Sequence, residues 1–252
     1  MTIATEAAYE PWNMTLPGGA IGGFEPELIA DLCNRIKLHC KLQAQDWDGM
    51  IAGLQVGKFD MLMDAIMITP ERQQVIAFSA PYAVTPGVLV AADKGLIAAA
   101  GPSGQVVKLT GDAAHDKPTV DAMRALLKGK SIGIASGTAY TQFIQANFSD
   151  IATVREYKKS GEHVMDLVAG RIDYAFDDVT FFSSIMDKPE NQSLAIVGPK
   201  IGGSIWGPGE ALAFRQSDPE LKARFDDALR SALADGTVKT LSHKWFKTDI
   251  TP

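Results

Sequence analysis

The stretch GKFDMLMD at residues 57–64 has a counterpart in GRIDYAFD at residues 170–177. Each contains a glycine, a cation, an apolar residue, an aspartate, three largely apolar residues and a closing aspartate, and a predicted helix precedes each glycine. One helix–glycine–strand unit used twice predicts two similar lobes, each with a strand end of the kind at which open α/β sheets bind ligands. Coincidence is the alternative, because glycines after helices and alternating apolar strands are common.

In the rest of the chain, short apolar strands alternate with amphipathic helices, which is typical of parallel sheets with crossover helices. We predict strands at residues 2–6, 41–47, 59–65, 131–136, 152–157, 172–177 and 194–197. Helical periodicity starts near Pro26 and again after Pro219, whereas residues 94–130 indicate a surface excursion. The sequence therefore predicts an α/β protein.

The composition excludes several classes of protein. With 252 residues and 46% hydrophobic content, the chain is long enough for two lobes with separate cores. A net charge of -6 with scattered acids argues against nucleic acid as a partner. No apolar run approaches the roughly 20 residues that cross a bilayer. The segment TIATEA directly after Met1 reads as a strand, so the protein is either cytosolic or has lost a leader.

Two cysteines, Cys33 and Cys40, flank the end of the helix that starts near Pro26. The absence of a Cys-x-x-Cys motif and of a nearby histidine pair argues against a metal site. The spacing fits two buried thiols as well as a short-loop disulfide in an oxidising compartment, and it does not separate them.

One candidate site for an anion is TPERQQVI at residues 69–76. Thr69 is placed as a helix cap with Pro70 in the first turn, which puts Arg72 at the helix start. Backbone amides at a helix start and a guanidinium together bind a carboxylate well. A solvated surface arginine is the alternative interpretation.

A second candidate is the turn Ser136-Gly137-Thr138, which follows a predicted strand and opens a helix. We expect free backbone N–H groups there to point at whatever faces the strand end, although many such turns hold no ligand. Trp47 lies at a strand end and Tyr9 in a loop, where their rings form either the walls of a pocket or part of the core.

Several acids, Glu6, Asp64, Asp177 and Asp178, fall at predicted strand ends. Carboxylates around one cleft would repel each other, and a bound ammonium or guanidinium would relieve them. Paired carboxylates also occur in glycoside hydrolases, but nothing in the sequence fixes their separation. The four histidines lack ligand spacing, and no nucleophile elbow or His-Glu-x-x-His motif occurs, so we expect no enzyme activity, no metal and no cofactor.

Six ordered segments resemble one family, the extracellular solute-binding proteins of polar amino-acid ABC transporters, the type that contains the histidine and lysine/arginine/ornithine binding proteins. The segments are GGFEPELIADLCNRI, WDGMIAGLQVGKFDMLM, ITPERQQVIAFSAPY, GKSIGIASGT, AGRIDYAF and ADGTVKTLSHKWF. The chain looks most similar to the subgroup that imports opines, on the basis of WDGMI, the insertion after residue 94 and GGSIWGPG at residues 202–209.

The resemblance implies specific roles at matching positions. Arg72 would bind the α-carboxylate of the ligand with help from the amides around Thr138, and Asp178 would bind its α-ammonium. The remaining positions implied are the aromatic residues Tyr9 and Trp47 and the first-strand acid Glu6. The two cysteines, Cys33 and Cys40, match a disulfide of basic amino-acid binders, which indicates the periplasm.

This chain departs from the family pattern in three places. Pro26 replaces an aliphatic residue, which alters only a helix start. Asp64, Ala65, Ile66 and Met67 replace a common Ser-Ser-x-Ser, so a carboxylate and apolar atoms replace hydroxyl contacts to the side chain of the ligand. Nopaline-type relatives lack an acid at the position of Asp178, so the resemblance does not extend to nopaline itself.

The resemblance implies a two-lobed type II periplasmic binding protein, each lobe a mixed, mostly parallel sheet flanked by helices, with a two-strand hinge. We expect lobe 1 at residues 1–91 and 195–252 and lobe 2 at residues 92–194. The ligand, an amino acid or an opine, would bind between the lobes of a monomer and pass to a permease in the inner membrane. The alternatives are an enzyme of the cyclohexadienyl-dehydratase type with Glu6 or Asp178 as its acid, and a sensor domain, disfavoured because no transmembrane segment follows Pro252.

Overall fold

The computed structural model describes residues 1–101 and 103–252, and it divides into two compact units. Unit 1 comprises Met1–Val84 and Gly207–Pro252, and unit 2 comprises Thr85–Trp206. The sequence places the limits after residues 91 and 194 instead. The difference arises because two strands near those positions pair with each other inside the sheet of unit 2.

The strands of the described residues are short. In chain order they are β1 (Thr2–Thr5), β2 (Ala8–Tyr9), β3 (Asn13–Thr15), β4 (Ile21–Gly22), β5 (Lys41–Ala44), β6 (Met61–Leu62), β7 (Ala77–Ala83), β8 (Gly87–Ala91), β9 (Val106–Lys108), β10 (Ser131–Ala135), β11 (Thr153–Tyr157), β12 (Tyr174–Asp178), β13 (Ala195–Gly202) and β14 (Glu210–Phe214).

The α-helices lie between these strands and after the last of them. They are α1 (Phe24–Arg35), α2 (Met50–Gln55), α3 (Pro70–Gln73), α4 (Lys94–Ala100), α5 (Ala113–Leu127), α6 (Ala139–Phe148), α7 (Ser160–Val168), α8 (Val179–Met186), α9 (Pro219–Ala234) and α10 (Thr237–Phe246). Short 3-10 helices span Pro189–Asn191 and Ser204–Trp206. No helix in the described part of the chain has the length and apolar character needed to span a membrane.

Unit 1 contains a five-stranded sheet in the order β5-β1-β6-β14-β7, in which β5, β1 and β6 are parallel and β14 is antiparallel to both of its neighbours. The alternation along β1 separates two apolar clusters. Ile3 packs with Phe24, Leu28 and Phe225 in one cluster, and Ala4 packs in the other. The helices α1 and α9 contribute to the first cluster and α2 to the second, so both faces of the sheet are covered.

Unit 2 contains a six-stranded sheet in the order β11-β10-β12-β8-β13-β9. The strands β11, β10 and β12 are parallel, whereas β8 runs antiparallel to both β12 and β13. Every residue of β8 and of β12 is buried. The fold class predicted from the sequence, a mixed and mostly parallel sheet flanked by helices in each part of the chain, is confirmed.

The repeated stretch occupies the same place in both units. Gly57 and Gly170 have left-handed φ angles of 77° and 68°, and each lies four residues before the start of a central strand, β6 or β12. The first aspartate of each stretch, Asp60 and Asp173, accepts a hydrogen bond of 2.8 Å from the first backbone amide of the neighbouring parallel strand. The sequence repeat is therefore a structural repeat, in which one aspartate fixes the register of two parallel strands.

Candidate functional site

In unit 1, three predicted site residues follow the carboxyl ends of neighbouring parallel strands, where open α/β sheets bind ligands. Glu6 follows β1, Trp47 follows β5 and Asp64 follows β6. The Oδ1 atom of Asp64 accepts hydrogen bonds from the backbone amide of Glu6 at 2.8 Å and from the hydroxyl of Thr5 at 3.3 Å. The structure therefore brings Glu6 and Asp64 together.

Arg72 lies at the start of the single-turn helix α3, as the sequence predicts. Its backbone amide donates to the side chain of the cap residue Thr69 at 3.3 Å. Its Nη1 donates to the carbonyl of Met67 at 2.9 Å, and the guanidinium lies 5.1 Å from the centre of the Trp47 ring. Burial lowers the pKa of Arg72 to about 10, although the charge of Glu71 opposes this. The arrangement holds a positive charge in a partly desolvated place, which strengthens its attraction for an anion.

A buried network of hydrogen bonds supports the turn between Asp64 and Arg72. Glu25, only 1% exposed, accepts from the backbone amide of Ala65 at 2.7 Å, from the hydroxyl of Tyr82, and from Nδ2 of Asn13 at 2.8 Å. The same Nδ2 of Asn13 donates to Asp64 Oδ1 at 2.9 Å. One amide group thus bridges two carboxylates that have little contact with water.

This network disfavours negative charge. Burial raises the pKa of Glu25, and it raises the pKa of Asp64 well above its usual range with a further contribution from the charges of Glu25 and Glu6. The pKa of Tyr82 is also raised well above its usual range, by burial and by the charges of Glu25, Glu210 and Asp64. A cation that entered this region would stabilise the ionised carboxylates.

In unit 2, the turn Ser136-Gly137-Thr138 connects β10 to α6, and Thr138 caps the helix through a capping box with Thr141. The expectation of free amides is wrong at Ser136 and at Thr138. The amide of Ser136 donates to the carbonyl of Tyr157 at 2.8 Å, and the amide of Thr138 donates to the hydroxyl of Thr141 at 3.2 Å. Sheet pairing and helix capping use these groups, which the sequence pattern alone does not reveal.

Asp178 ends β12, the parallel neighbour of β10, and caps helix α8. Its Oδ1 accepts from the backbone amides of Thr180 at 2.6 Å and Phe181 at 3.3 Å. Its Oδ2 accepts from the hydroxyls of Thr85 and Tyr140, the latter at 3.4 Å. Burial raises the pKa of Asp178, while the hydrogen bonds from Thr180 and Thr85 lower it. The hydroxyl of Tyr140, on α6, therefore joins the two candidate regions of unit 2.

The remaining two predicted residues have other surroundings. Tyr9 lies in β2 and packs against the first apolar cluster of unit 1. Asp177 faces the interior of unit 2, where its Oδ2 binds Ser160 at 2.6 Å and Nε2 of the fully buried His163 at 2.9 Å. Asp177 and Asp178 thus have separate environments although they are adjacent in sequence.

The family model for bacterial extracellular solute-binding proteins, family 3, matches residues 1–248. The chain belongs to this family. The family resemblance drawn from the six sequence segments is therefore confirmed, and the chain is a solute-binding protein.

Individual family members match along almost the whole chain. The octopine-binding periplasmic protein of Rhizobium meliloti is 37% identical over 271 residues, which covers 100% of this chain and 92% of that protein. The L-arginine-binding protein of Pseudomonas aeruginosa is 30% identical over 251 residues, covering 98% and 88% of the two chains. These relatives are binding proteins, which supports solute binding over the enzyme alternative.

Solved structures agree on the fold. A periplasmic His/Glu/Gln/Arg/opine family-binding protein from Silicibacter pomeroyi, in complex with lysine, has a TM-score of 0.78 at 28% identity and covers 100% of this chain and 99% of its own. A periplasmic binding protein of Salmonella typhimurium with high arginine specificity has a TM-score of 0.81 at 24% identity, covering 98% of each chain. The type II periplasmic binding protein fold is thus confirmed for this member of family 3.

The disulfide implied by the resemblance is present, because Cys33 and Cys40 are bonded with an S–S distance of 2.02 Å. The bond ties the end of α1 to the residue before β5. In this family 3 chain it closes a short loop at the surface of unit 1.

Sequence reasoning missed the residues that support the site from behind. Glu25, Asn13 and Tyr82 surround the turn at Ala65, and Tyr140 contacts Asp178. Glu25 follows Phe24 at a helix start, where an acid is ordinarily a solvated partner of the helix dipole. The only signal was its neighbour Pro26, which is itself buried and places this first turn against the core.

Proposed function

We propose that the chain is the periplasmic substrate-binding component of an ABC importer and that it captures an amino acid or an opine. The observation that carries the proposal is the 37% identity to an octopine-binding periplasmic protein over the full length of this chain. The placement of a partly desolvated guanidinium and of buried carboxylates at strand ends supports it. The ligand has both a carboxylate and at least one cationic group.

Arg72 binds the carboxylate of the ligand. Its guanidinium is held by the Met67 carbonyl on one side and by the Trp47 ring on another, so its orientation is set before the ligand arrives. A guanidinium fixed in this way loses little conformational freedom on binding, and its planar fork matches a carboxylate. In this proposal the turn at Ser136, Gly137 and Thr138 adds further contacts to the ligand.

Asp178 binds the α-ammonium group. Its buried carboxylate already takes hydrogen bonds from Thr180 and Thr85, and an ammonium would add the positive charge that neutral donors do not supply. In this proposal the ammonium group of the ligand shares the acceptor Oδ2 with the hydroxyls of Thr85 and Tyr140.

In this proposal Glu6 and Asp64 bind the distal part of the ligand, and Ala65 and the Tyr9 ring add apolar contacts to it. The two acids replace water around a guanidinium or a second ammonium group of the ligand. The positive charge of that group relieves the repulsion between the two carboxylates. Arginine and the arginine-derived opines have a cationic group of this kind.

A thermal-shift screen of the purified protein with amino acids and opines tests the proposal. A ligand at 100 times its dissociation constant stabilises a fold by about 2.7 kcal/mol, which raises Tm by roughly 5–10 °C in a protein of this length. L-arginine and octopine are the first probes, and L-glutamate is the control because its side chain is anionic. Absence of a shift with every amino acid and opine would refute the proposed function.

Delivery of the ligand requires a partner in the inner membrane. We propose that a permease recognises the ligand-bound form of a monomeric protein, since a ligand shifts a conformational equilibrium only through different affinities for the two states. Gel filtration with and without ligand checks the monomeric state, and ligand-dependent stimulation of the transporter's ATPase checks the partner.

A further inference from the structure

We propose that Glu25 is a positioning residue of the binding site, whose carboxylate holds the turn at Ala65 and, through this turn, the segment that carries Asp64 and Arg72. The inference rests on the proposed function, because that function makes Asp64 and Arg72 ligand contacts. Glu25 itself belongs to helix α1 and lies behind the turn.

The turn needs support because Ala65 has a φ angle of 44°. This left-handed conformation is unfavourable for a residue with a Cβ atom. The carboxyl group of Glu25 accepts a hydrogen bond from the backbone amide of Ala65 at 2.7 Å, which holds this amide in place. Glu25 therefore stabilises a conformation that the chain would otherwise avoid.

The turn determines where the next residues point. Met67 lies two residues after Ala65, forms an isolated β-bridge with Glu210, and presents its carbonyl to the guanidinium of Arg72 at 2.9 Å. A change in the backbone at Ala65 would move the Met67 carbonyl and release Arg72 from its orientation. Glu25 thus acts on the guanidinium through two residues of backbone.

The second branch of the network leads to Asp64. Nδ2 of Asn13 donates to Glu25 Oε2 at 2.8 Å and to Asp64 Oδ1 at 2.9 Å, and Asn13 is completely buried. Because one nitrogen serves both carboxylates, Asn13 cannot reorient without breaking one of the two bonds. The orientation of Asp64 is therefore coupled to the presence of an acceptor at position 25.

The substitution Glu25→Gln tests this coupling with little change in volume. In either orientation the glutamine amide faces a donor, which is Asn13 in one case and the Ala65 amide in the other. The matched control is Glu27→Gln on the same helix, which removes only an ion pair of 2.6 Å with Lys244. Calorimetric titrations use L-arginine and octopine, at a temperature where thermal unfolding shows all variants to be folded.

We expect Glu25→Gln to raise the dissociation constant of the bound probe by about ten-fold or more, with the Glu27→Gln value within about two-fold of wild type. A purely structural role would lower Tm and leave the affinity of the folded protein unchanged. Wild-type affinity in folded Glu25→Gln protein overturns the inference. If Glu25→Gln does not fold, Tyr82→Phe takes its place, because it removes one hydrogen-bond donor to Glu25. This variant should weaken binding by about three-fold. Unchanged affinity in Tyr82→Phe likewise overturns the inference.

Hydrogen exchange separates failure of the inference from failure of the proposed function. In ligand-free protein, Glu25→Gln should accelerate amide exchange across residues 64–72 by about ten-fold, and Glu27→Gln should not. If wild type binds neither probe, the assignment of these ligands fails, whereas accelerated exchange still supports the control of the turn by Glu25. Unchanged exchange across residues 64–72 overturns that control whatever the protein binds.

Discussion

Replacement of Arg72 by alanine should weaken ligand binding by at least about 3 kcal/mol, or roughly 150-fold. The magnitude follows from the geometry of the guanidinium. A bidentate pair with a carboxylate contains two charge-assisted hydrogen bonds, each contributing about 1.5–3 kcal/mol, and truncation leaves the carboxylate of the ligand without a partner. Because the Trp47 ring 5.1 Å away and the Met67 carbonyl already orient the guanidinium, little of this energy is spent on ordering the side chain.

Isothermal titration calorimetry of three variants separates charge from geometry. Arg72→Lys keeps the positive charge and loses the planar fork, so we expect a loss of about 10- to 30-fold, between wild type and alanine. Glu220→Gln, a change at an exposed residue in the first turn of α9, is the control and should bind like wild type. An affinity of Arg72→Ala within about three-fold of wild type would remove Arg72 from the binding site and refute the reasoning.

Three further predictions concern other residues. Asp64→Asn should have a higher Tm than wild type, and the difference in Tm should be larger at pH 8 than at pH 4.5. Because the pKa of Asp64 is raised in the folded protein, its contribution to stability is present in acid and is lost as pH rises through that pKa, by about 1.4 kcal/mol per unit of pKa difference. A Tm difference that is the same at both pH values would contradict this. Asp178→Asn keeps a good helix cap, so it should weaken ligand binding by about ten-fold with little loss of Tm. Asp178→Ala should weaken binding and also lower the free energy of unfolding by about 1 kcal/mol. If calorimetry shows equal affinity for Asp178→Asn and wild type, Asp178 does not contact an ammonium group. Replacement of both Cys33 and Cys40 by serine should lower the free energy of unfolding by about 2.5 kcal/mol, because the disulfide closes a loop between cysteines seven residues apart. Calorimetric unfolding measures this loss, and an unchanged Tm would contradict it.

The sequence predicts the parallel strands β1, β5 and β6 of unit 1 and β10, β11 and β12 of unit 2, because each lies between predicted helices or turns. It misses β9, which is parallel to β13 and lies with α4 and α5 in the stretch predicted as a surface excursion. It does not predict the antiparallel strands β7, β8 and β14. The residues of β8, GVLVA, are all buried, and a continuous apolar run carries no alternation that would identify a strand or its direction. The limits of the two units depend on β8 and β13, so they differ from the sequence-based limits for the same reason.

Some residues of the candidate site can also be predicted from the sequence, and others cannot. Arg72 is predictable because Thr69 and Pro70 mark a helix start, and the structure confirms that local geometry. Glu25 is not predictable, because its role depends on Ala65, which is distant in sequence and has an unusual φ angle. The use of the Ser136 amide in sheet pairing is also a tertiary fact, which a turn motif cannot show.

The charges proposed to bind ligand differ in kind from the structural ion pairs of the same protein. Asp235, bonded to Thr237 and Arg35, has a pKa lowered to about 2, because its partners stabilise the ionised form. Asp64 and Asp178 have raised pKa values and Arg72 has a lowered one, so the folded protein disfavours all three charges, chiefly through burial. Structural ion pairs stabilise a fold without help, whereas charges in this condition gain from an external partner of opposite sign. A ligand that has both a carboxylate and cationic groups supplies such partners, which favours a basic amino acid or a basic opine over a neutral one.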